Sequence, residues 1–325
     1  MTDPTTRDDR PDRRTWLRRP GDALPRASIG TVPILWNNAD LPELRFGTAA
    51  LTIMDELARV GFEGCQLGVG FPEGVELRDA LAARGLGLAE VYAAFGATVD
   101  GPSAGALDEC LERLRLLEAG DGEVLCVAFD GSGDRDATAG RAIAGGAPSM
   151  TDDGWSRTVD LLHELGRATR ATGRRMAFHP HVGTYVETPA EVERLVASTD
   201  QELVPICLDV GHYLAGGGDP VAALRTLGAR VTHVHLKDVD MDVLAGLRSG
   251  AIATFTDGVR ARVFTELGSG ALDLDGVIQA LAARDYDGWL MVEQDSTWDP
   301  PSESAAIGRR VLASALRRAG AAAAS

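Results

Sequence analysis

At 325 residues with 45% apolar side chains, the chain is long enough for one α/β barrel of about 250 residues with extensions. Its net charge is −16, and residues 1–27 hold seven Arg against five Asp, so the rest carries −18. A surface of that sign repels phosphate backbones and argues against a nucleic-acid partner. No apolar run reaches the roughly 18 residues that a membrane span requires, so a soluble, cytoplasmic protein with no membrane contact is expected.

The first 27 residues are rich in Asp, Arg and Pro, contain Arg13-Arg14 and Arg18-Arg19, and lack an apolar stretch. They read as a disordered tail and not as a secretory leader. From residue 28 short apolar runs alternate with segments of helical period, the pattern of repeated βα units on a parallel sheet. The expected strands are Ile29–Leu35, Gly64–Leu67, Gly87–Tyr92, Val124–Ala128, Arg175–His179, Val204–Asp209, Val231–His235 and Trp289–Glu293. Between them helices are expected at Ala49–Val60, Glu73–Ala83, Ala104–Glu118, Asp153–Ala171, Pro189–Ala197, Pro220–Leu227, Leu274–Ala283 and Glu303–Arg318. Eight of each predicts a single closed (β/α)8 TIM barrel over residues 28–318, followed by a loose tail at 319–325.

Local chemistry marks some of the boundaries. Thr188-Pro189-Ala190-Glu191 has the order of a capping box, which gives Glu191 a structural role. Asp219-Pro220, after three glycines, is a second cap. The connections Asp130–Asp152 and Asp238–Val263 are too long for simple turns and leave the C-terminal ends of strands, where barrel enzymes build lids and sites. Cys65, Cys110, Cys126 and Cys207 are far apart, form no CxxC pair and are expected to be buried, reduced thiols.

The polar residues are distributed less evenly. Lys237 is the only lysine, and five of the six histidines, His179, His181, His212, His233 and His235, lie within 57 residues. Strand side chains alternate, so His233, His235 and Lys237 share one face of the seventh strand while Val234 and Leu236 face the helices. His179, Asp209, His235 and Glu293 end four consecutive strands, the fifth to the eighth. Two imidazoles and two carboxylates at one rim suit Mn2+ or Co2+, with Zn2+ or Mg2+ as alternatives, better than the oxygen cage of Ca2+. His181 and His212 lie just past strand ends, where each could be a ligand, a donor to substrate or an acid/base group. Trp36, Asn38 and Asp40 follow the first strand and, with His233, are candidates for substrate contact.

Several of these segments resemble the xylose isomerase-like barrel superfamily of sugar isomerases, epimerases and inosose dehydratases, with most likeness to the dehydratases of 2-keto-myo-inositol. The resemblance covers about residues 28–316 and rests on Pro33-Ile-Leu-Trp-Asn-Asn-Ala-Asp40, Phe62-Glu-Gly-Cys-Gln-Leu-Gly68, His179-Pro-His-Val-Gly-Thr184, Leu208-Asp-Val-Gly-His212, His233-Val-His-Leu-Lys-Asp238 and Gly288-Trp-Leu-Met-Val-Glu-Gln-Asp295. It implies a metal at the ends of strands five to eight and substrate contact by His212. It implies a metal-dependent carbon–oxygen lyase that dehydrates a keto-polyol such as 2-keto-myo-inositol through an enediolate. In that chemistry Lys237 assists the metal at the ketone, Glu293 or a histidine takes the α-proton, and His181 or His212 protonates the departing hydroxyl. The alternatives are an isomerase or epimerase of sugars or keto-sugars and a 3-keto-glycoside lyase. Where many epimerases of the superfamily carry Glu, this chain has His179, which favours dehydration. It also departs from the dehydratase pattern at Pro180, at Leu267-Gly-Ser-Gly270, around Phe129-Asp130 and before Glu293, all near the barrel mouth. The expected partner is a small keto-polyol or keto-sugar, and self-association into a homo-oligomer is common in such barrels.

Overall fold

Eight parallel strands close a barrel in a computed structural model that describes residues 22–142 and 146–323. They are β1 (Ser28–Thr31), β2 (Gly64–Gln66), β3 (Gly87–Phe95), β4 (Val124–Phe129), β5 (Arg175–Phe178), β6 (Ile206–Asp209), β7 (Val231–Leu236) and β8 (Trp289–Val292). Each pairs with its neighbours in chain order, and β8 returns to pair with β1, Ser28 opposite Trp289. The helices that follow the strands are α1 (Ala50–Val60), α2 (Gly74–Ala82), α3 (Ala106–Ala119), α4 (Asp152–Ala171), α5 (Pro189–Ser198), α6 (Pro220–Leu227), α7 (Leu274–Ala282) and α8 (Pro301–Ala323). The expected (β/α)8 barrel is therefore the observed fold. Among the described residues no helix is long and apolar enough to cross a membrane.

Alternation along the strands separates two cores. Outward side chains such as Val234, Leu236 and Leu208 pack with Leu57, Leu114, Leu162 and Leu195 of the helices. Inward ones, Val124, Cys126, Ala177, Cys207, Trp289 and Met291, fill the barrel interior. The interior is thus a plug of side chains with a polar layer above it at the strands' C-terminal ends.

Strand ends differ from expectation where proline intervenes. β1 stops at Thr31, and Pro33–Leu35 form a 3-10 turn, because Pro33 has no N–H for the ladder. β6 begins after Pro205 and not at Val204 for the same reason. The termini are corrected as well. α8 continues to Ala323, carried by alanines of high helix propensity and by burial of Ala315, Leu316 and Ala319, so residues 319–323 are helix and not loose tail. Of the proposed N-terminal tail, residues 1–21 lie outside the described residues. Residues 22–27 lie against the barrel: Ala23 N–H donates to the Leu316 carbonyl at 3.0 Å, and Leu24 and Ala27 are buried.

The two long connections cover the mouth. The first contains a helical turn at Gly133–Asp136, whose fully buried Arg135 makes a two-pronged contact with Glu191 at 2.8 and 3.0 Å. Glu191 also completes the expected capping box at the start of α5. The second contains helices Met241–Ser249 and Phe255–Arg260, and its Asp238–Val239 pair antiparallel with Phe264–Thr265. Leu244, Leu247, Val259, Val263 and Phe264 pack there with Val182 and Ala215 in a core of their own, so this lid is a folded layer.

Candidate active site

The four rim residues converge. His179, following β5, Asp209 at the end of β6, His235 in β7 and Glu293, following β8, each place one donor atom within 4.8 Å of the others. Asp209 divides its carboxylate between two tasks. Oδ1 accepts the His212 N–H at 2.8 Å and so caps the short helix Val210–Ala215. Oδ2 is buried without a hydrogen-bond donor among the described residues, 3.7 Å from His179 Nε2 and 4.0 Å from His235 Nδ1. The nearest cation, the Lys237 ammonium, stays 3.5 Å from this buried anionic oxygen, which leaves it room for a closer one. Donors bound at about 2.1 Å to a common ion stand roughly 3–3.5 Å apart, so the set fits a divalent cation of the Zn2+ or Mn2+ type. The tight turn into the short helix requires Gly211, where a Cβ would lie 2.8 Å from both Cβ and the carbonyl oxygen of Lys237.

Lys237 stands beside this set. Its Nζ lies 2.8 Å from Asp295 Oδ1, 3.2 Å from Glu293 Oε1 and 3.5 Å from Asp209 Oδ2, and 4.7 Å from the centroid of the Phe264 ring. Burial favours loss of its proton, but Asp295, Glu293 and Asp209 outweigh burial and keep the ammonium charged. In return, burial would raise Asp209 and Glu293, and Lys237 with the imidazoles more than reverses this and keeps both ionised.

Two further histidines form one wall. The His181 and His212 rings stack at 3.7 Å, flanked by Phe255 and Phe264 from the lid. Burial, with His179 and Lys237 nearby, lowers His181 to about 3, and burial with His181 and Lys237 lowers His212 well below the ordinary imidazole range. Both rings are therefore neutral. His181 Nδ1 lies 2.7 Å from the Val182 carbonyl and must carry the proton to bond it, which leaves the Nε2 lone pair free on a half-buried ring. His212 Nδ1 accepts the Val182 N–H at 3.3 Å, and Lys237 Nζ lies 3.1 Å from Nε2, an arrangement that disfavours a doubly protonated ring.

Not every sequence candidate reaches the mouth. Trp36 is 1% exposed and its indole N–H donates to Glu56 of α1 at 2.6 Å, so it packs behind the strand and does not face a ligand. Asn38 is buried and braces loops, donating to the Asp295 carbonyl at 2.7 Å and accepting the N–H groups of Asp40 and Leu41. His233 points inward but one layer too deep: it is 0% exposed and bonded to Glu90 at 2.6 Å. Asp40 alone of this group has an exposed position whose carboxyl feels Lys237 and Glu293, and burial raises it above the ordinary range.

Two functional neighbours lay outside the sequence candidates. Glu90 of β3 is fully buried and its Oε2 meets His233 Nε2 at 2.6 Å and His235 Nε2 at 3.0 Å. It thereby turns His235 so that Nδ1 faces the rim set, as outer carboxylates do for ligand histidines. A lone carboxylate at an inward position of an otherwise apolar strand was the signal for it. The second is Asp295, two residues beyond Glu293, which burial raises above the usual carboxylate range despite its contact with Lys237.

Comparison with known proteins bears on this geometry. A family profile described as xylose isomerase-like TIM barrel matches residues 54–315. Inosose dehydratase 1 of Bacillus cereus is 31% identical over 295 residues, covering 87% of this chain and 95% of that protein. Inosose dehydratase of Clostridium botulinum is 31% identical over 290 residues, covering 88% and 96%. Among solved structures, an L-ribulose 3-epimerase superposes with a TM-score of 0.68 at 17% identity, covering 92% of this chain and 97% of its own. The IOLI protein with a bound zinc atom gives 0.66 at 13% identity, covering 90% and 98%. At such identities these structures share the fold.

Proposed function

Because the chain belongs to the xylose isomerase-like TIM barrel family, we propose that it is a divalent-metal-dependent carbon–oxygen lyase that dehydrates a neutral keto-polyol of the 2-keto-myo-inositol type. The observation that carries this reading is a neutral His181 with an open Nε2 beside a charged Lys237, next to a four-donor set with an unsatisfied Asp209 oxygen. His179, Asp209, His235 and Glu293 would hold the cation, with Mn2+ or Co2+ preferred. When bound, it supplies Lewis-acid polarisation of the substrate's ketone.

The chain's own groups supply the remaining chemistry. The Lys237 ammonium, fixed by Asp295 and lying over Phe264, is placed to hold negative charge developing on a substrate oxygen. His181, its tautomer set by the Val182 carbonyl, takes the proton from the carbon next to the ketone at Nε2. The ring, now protonated at Nε2 as well, gives that proton to the hydroxyl that leaves the neighbouring carbon as water and so returns to its neutral state, while His212, stacked on it, keeps it in place. Asp40 sits where it can accept from substrate hydroxyls. The lid helices and Phe255 keep bulk water away from these transfers. On this reading the substrate is a diffusible small molecule of the cytoplasm.

Proton NMR in D2O with Mn2+-loaded protein and 2-keto-myo-inositol tests the proposal against an EDTA-treated control. The expected result is metal-dependent appearance of the dehydrated diketone. Deuterium exchange or a new stereoisomer without loss of water would instead establish an isomerase or epimerase, and an unchanged spectrum would remove this substrate.

A further inference from the structure

Below the rim set the barrel interior holds a second group of donors. Cys126 of β4 and Cys207 of β6 are buried and face inward, and their sulfurs lie within 4.8 Å of each other and of one imidazole nitrogen of His235. The register places Cys207 opposite His233 and Asp209 opposite His235, so the sulfur lies one inward layer beneath the rim. Glu90 stands alongside. Its Oε2 is shared by His233 and His235, while Oε1 is buried with no hydrogen-bond partner among the described residues. His233 Nδ1 is unsatisfied in the same way. Two thiols, two imidazoles and a carboxylate are thus gathered among Val124, Ala177, Trp289 and Met291. Packing alone does not call for that much unsatisfied polarity.

The spacing suits an ion. Sulfurs bound at about 2.3 Å to a tetrahedral cation stand roughly 3.8 Å apart, which donors already within reach of one another attain by small side-chain rotations.

We propose that Cys126, Cys207 and one nitrogen of His235 form an inner site for a thiophilic divalent cation such as Cd2+ or Zn2+. Two S–H bonds and one N–H bond of His235 break, two metal–sulfur bonds and one metal–nitrogen bond form, and three protons leave to solvent; nothing is oxidised or reduced. Thiolates select soft cations, whereas the rim set of two imidazoles and two carboxylates suits harder ones. His235 is common to both sets, so a soft ion in the inner site withdraws a ligand from the rim. Only this competition rests on the rim-cation reading of the function; the thiol site stands without it.

The test uses the full chain, reduced with a phosphine and stripped with EDTA, titrated with Cd2+ alone. Sulfur-to-cadmium charge-transfer absorption should saturate at one ion per chain, survive in C65S/C110S and vanish in C126S/C207S. Mn2+ binding followed by EPR should weaken at least tenfold with Cd2+ present in the wild type and not in C126S/C207S. Absorption that persists in C126S/C207S, or Cd2+ binding to the wild type without it, overturns the site. Should C126S/C207S fail to fold, 113Cd NMR of the wild type decides. A resonance in the two-sulfur range supports the site, and one in the nitrogen–oxygen range overturns it. Failure of the rim reading would look different: no Mn2+ binding, with the charge-transfer absorption intact.

Discussion

His181 and His235 show how one residue type is made to do two jobs. His181 is half-buried beside other imidazoles and an ammonium and stays neutral, whereas Glu90 and Glu293 flank His235 and more than offset the burial that would discharge it. The difference lies in the neighbours and predicts distinct phenotypes. In His181→Asn the amide nitrogen can still donate to the Val182 carbonyl, but no base remains. Turnover should fall by roughly 10²–10⁴-fold, while calorimetric titration with Mn2+ gives unchanged affinity. Glu90→Gln acts through His235, since the amide oxygen can still accept from His233 and His235 but the negative charge that polarises both imidazoles is lost. Its Mn2+ affinity should fall by roughly 10–100-fold, read by the same titration; wild-type affinity would show that Glu90 is only a core residue.

The elements around the mouth are held by carboxylates that collect backbone N–H groups. Asp238, just beyond β7, accepts from Val239 at 2.9 Å, Gly268 at 2.8 Å, Gly270 at 3.1 Å and Leu272 at 2.8 Å. It fixes the turn before α7 to the end of the strand that carries His235 and Lys237. Gly270 is required there because a Cβ would lie 2.5 Å from the Val239 carbonyl oxygen and closer still to Asp238 Oδ1. Asp238→Asn replaces one acceptor oxygen with an N–H donor that faces other donors, so urea denaturation should show a loss of about 3 kcal/mol. A variant as stable as the wild type would mean that the turn is held by its own backbone. The Arg135–Glu191 contact does the same for the other side of the mouth, joining the connection after β4 to the first turn of α5. The Thr188-Pro-Ala-Glu191 signature identified the cap, but nothing local in it announced an arginine 56 residues away.

At the scale of the molecule, stability should carry a pH signature from Glu187. Its side chain is 1% exposed, and burial pushes it up to about 7 although Gly183 N–H, Arg135 and Gly140 N–H favour the carboxylate. Between about 4.5, the ordinary value, and about 7 the folded chain keeps a proton that the unfolded chain has released. That contribution is fully present below the lower value and is lost as pH rises through the upper one. Thermal denaturation in EDTA should therefore show the wild type losing Tm relative to Glu187→Gln as pH rises through this window. A constant difference would place the Glu187 proton elsewhere.

The sequence by itself determined the βα repeat, the strand and helix positions to within a few residues, and the rim set. Period-two alternation in His233-Val-His-Leu-Lys237 and the polar ends of four successive strands are local patterns, and local patterns survive in a linear text. Only the tertiary structure decided which of these residues face the mouth. Closing the barrel brings β3 across from β7 and so places Glu90 on two histidines 143 and 145 positions away, while it sinks His233 beneath the rim. Trp36 and Asn38 had the composition of a ligand loop, but whether an indole turns to the mouth or to Glu56 depends on where α1 packs. The meeting of Cys126 with Cys207 has the same origin: strand alternation sets which way a side chain points, and closure of the sheet sets what it meets.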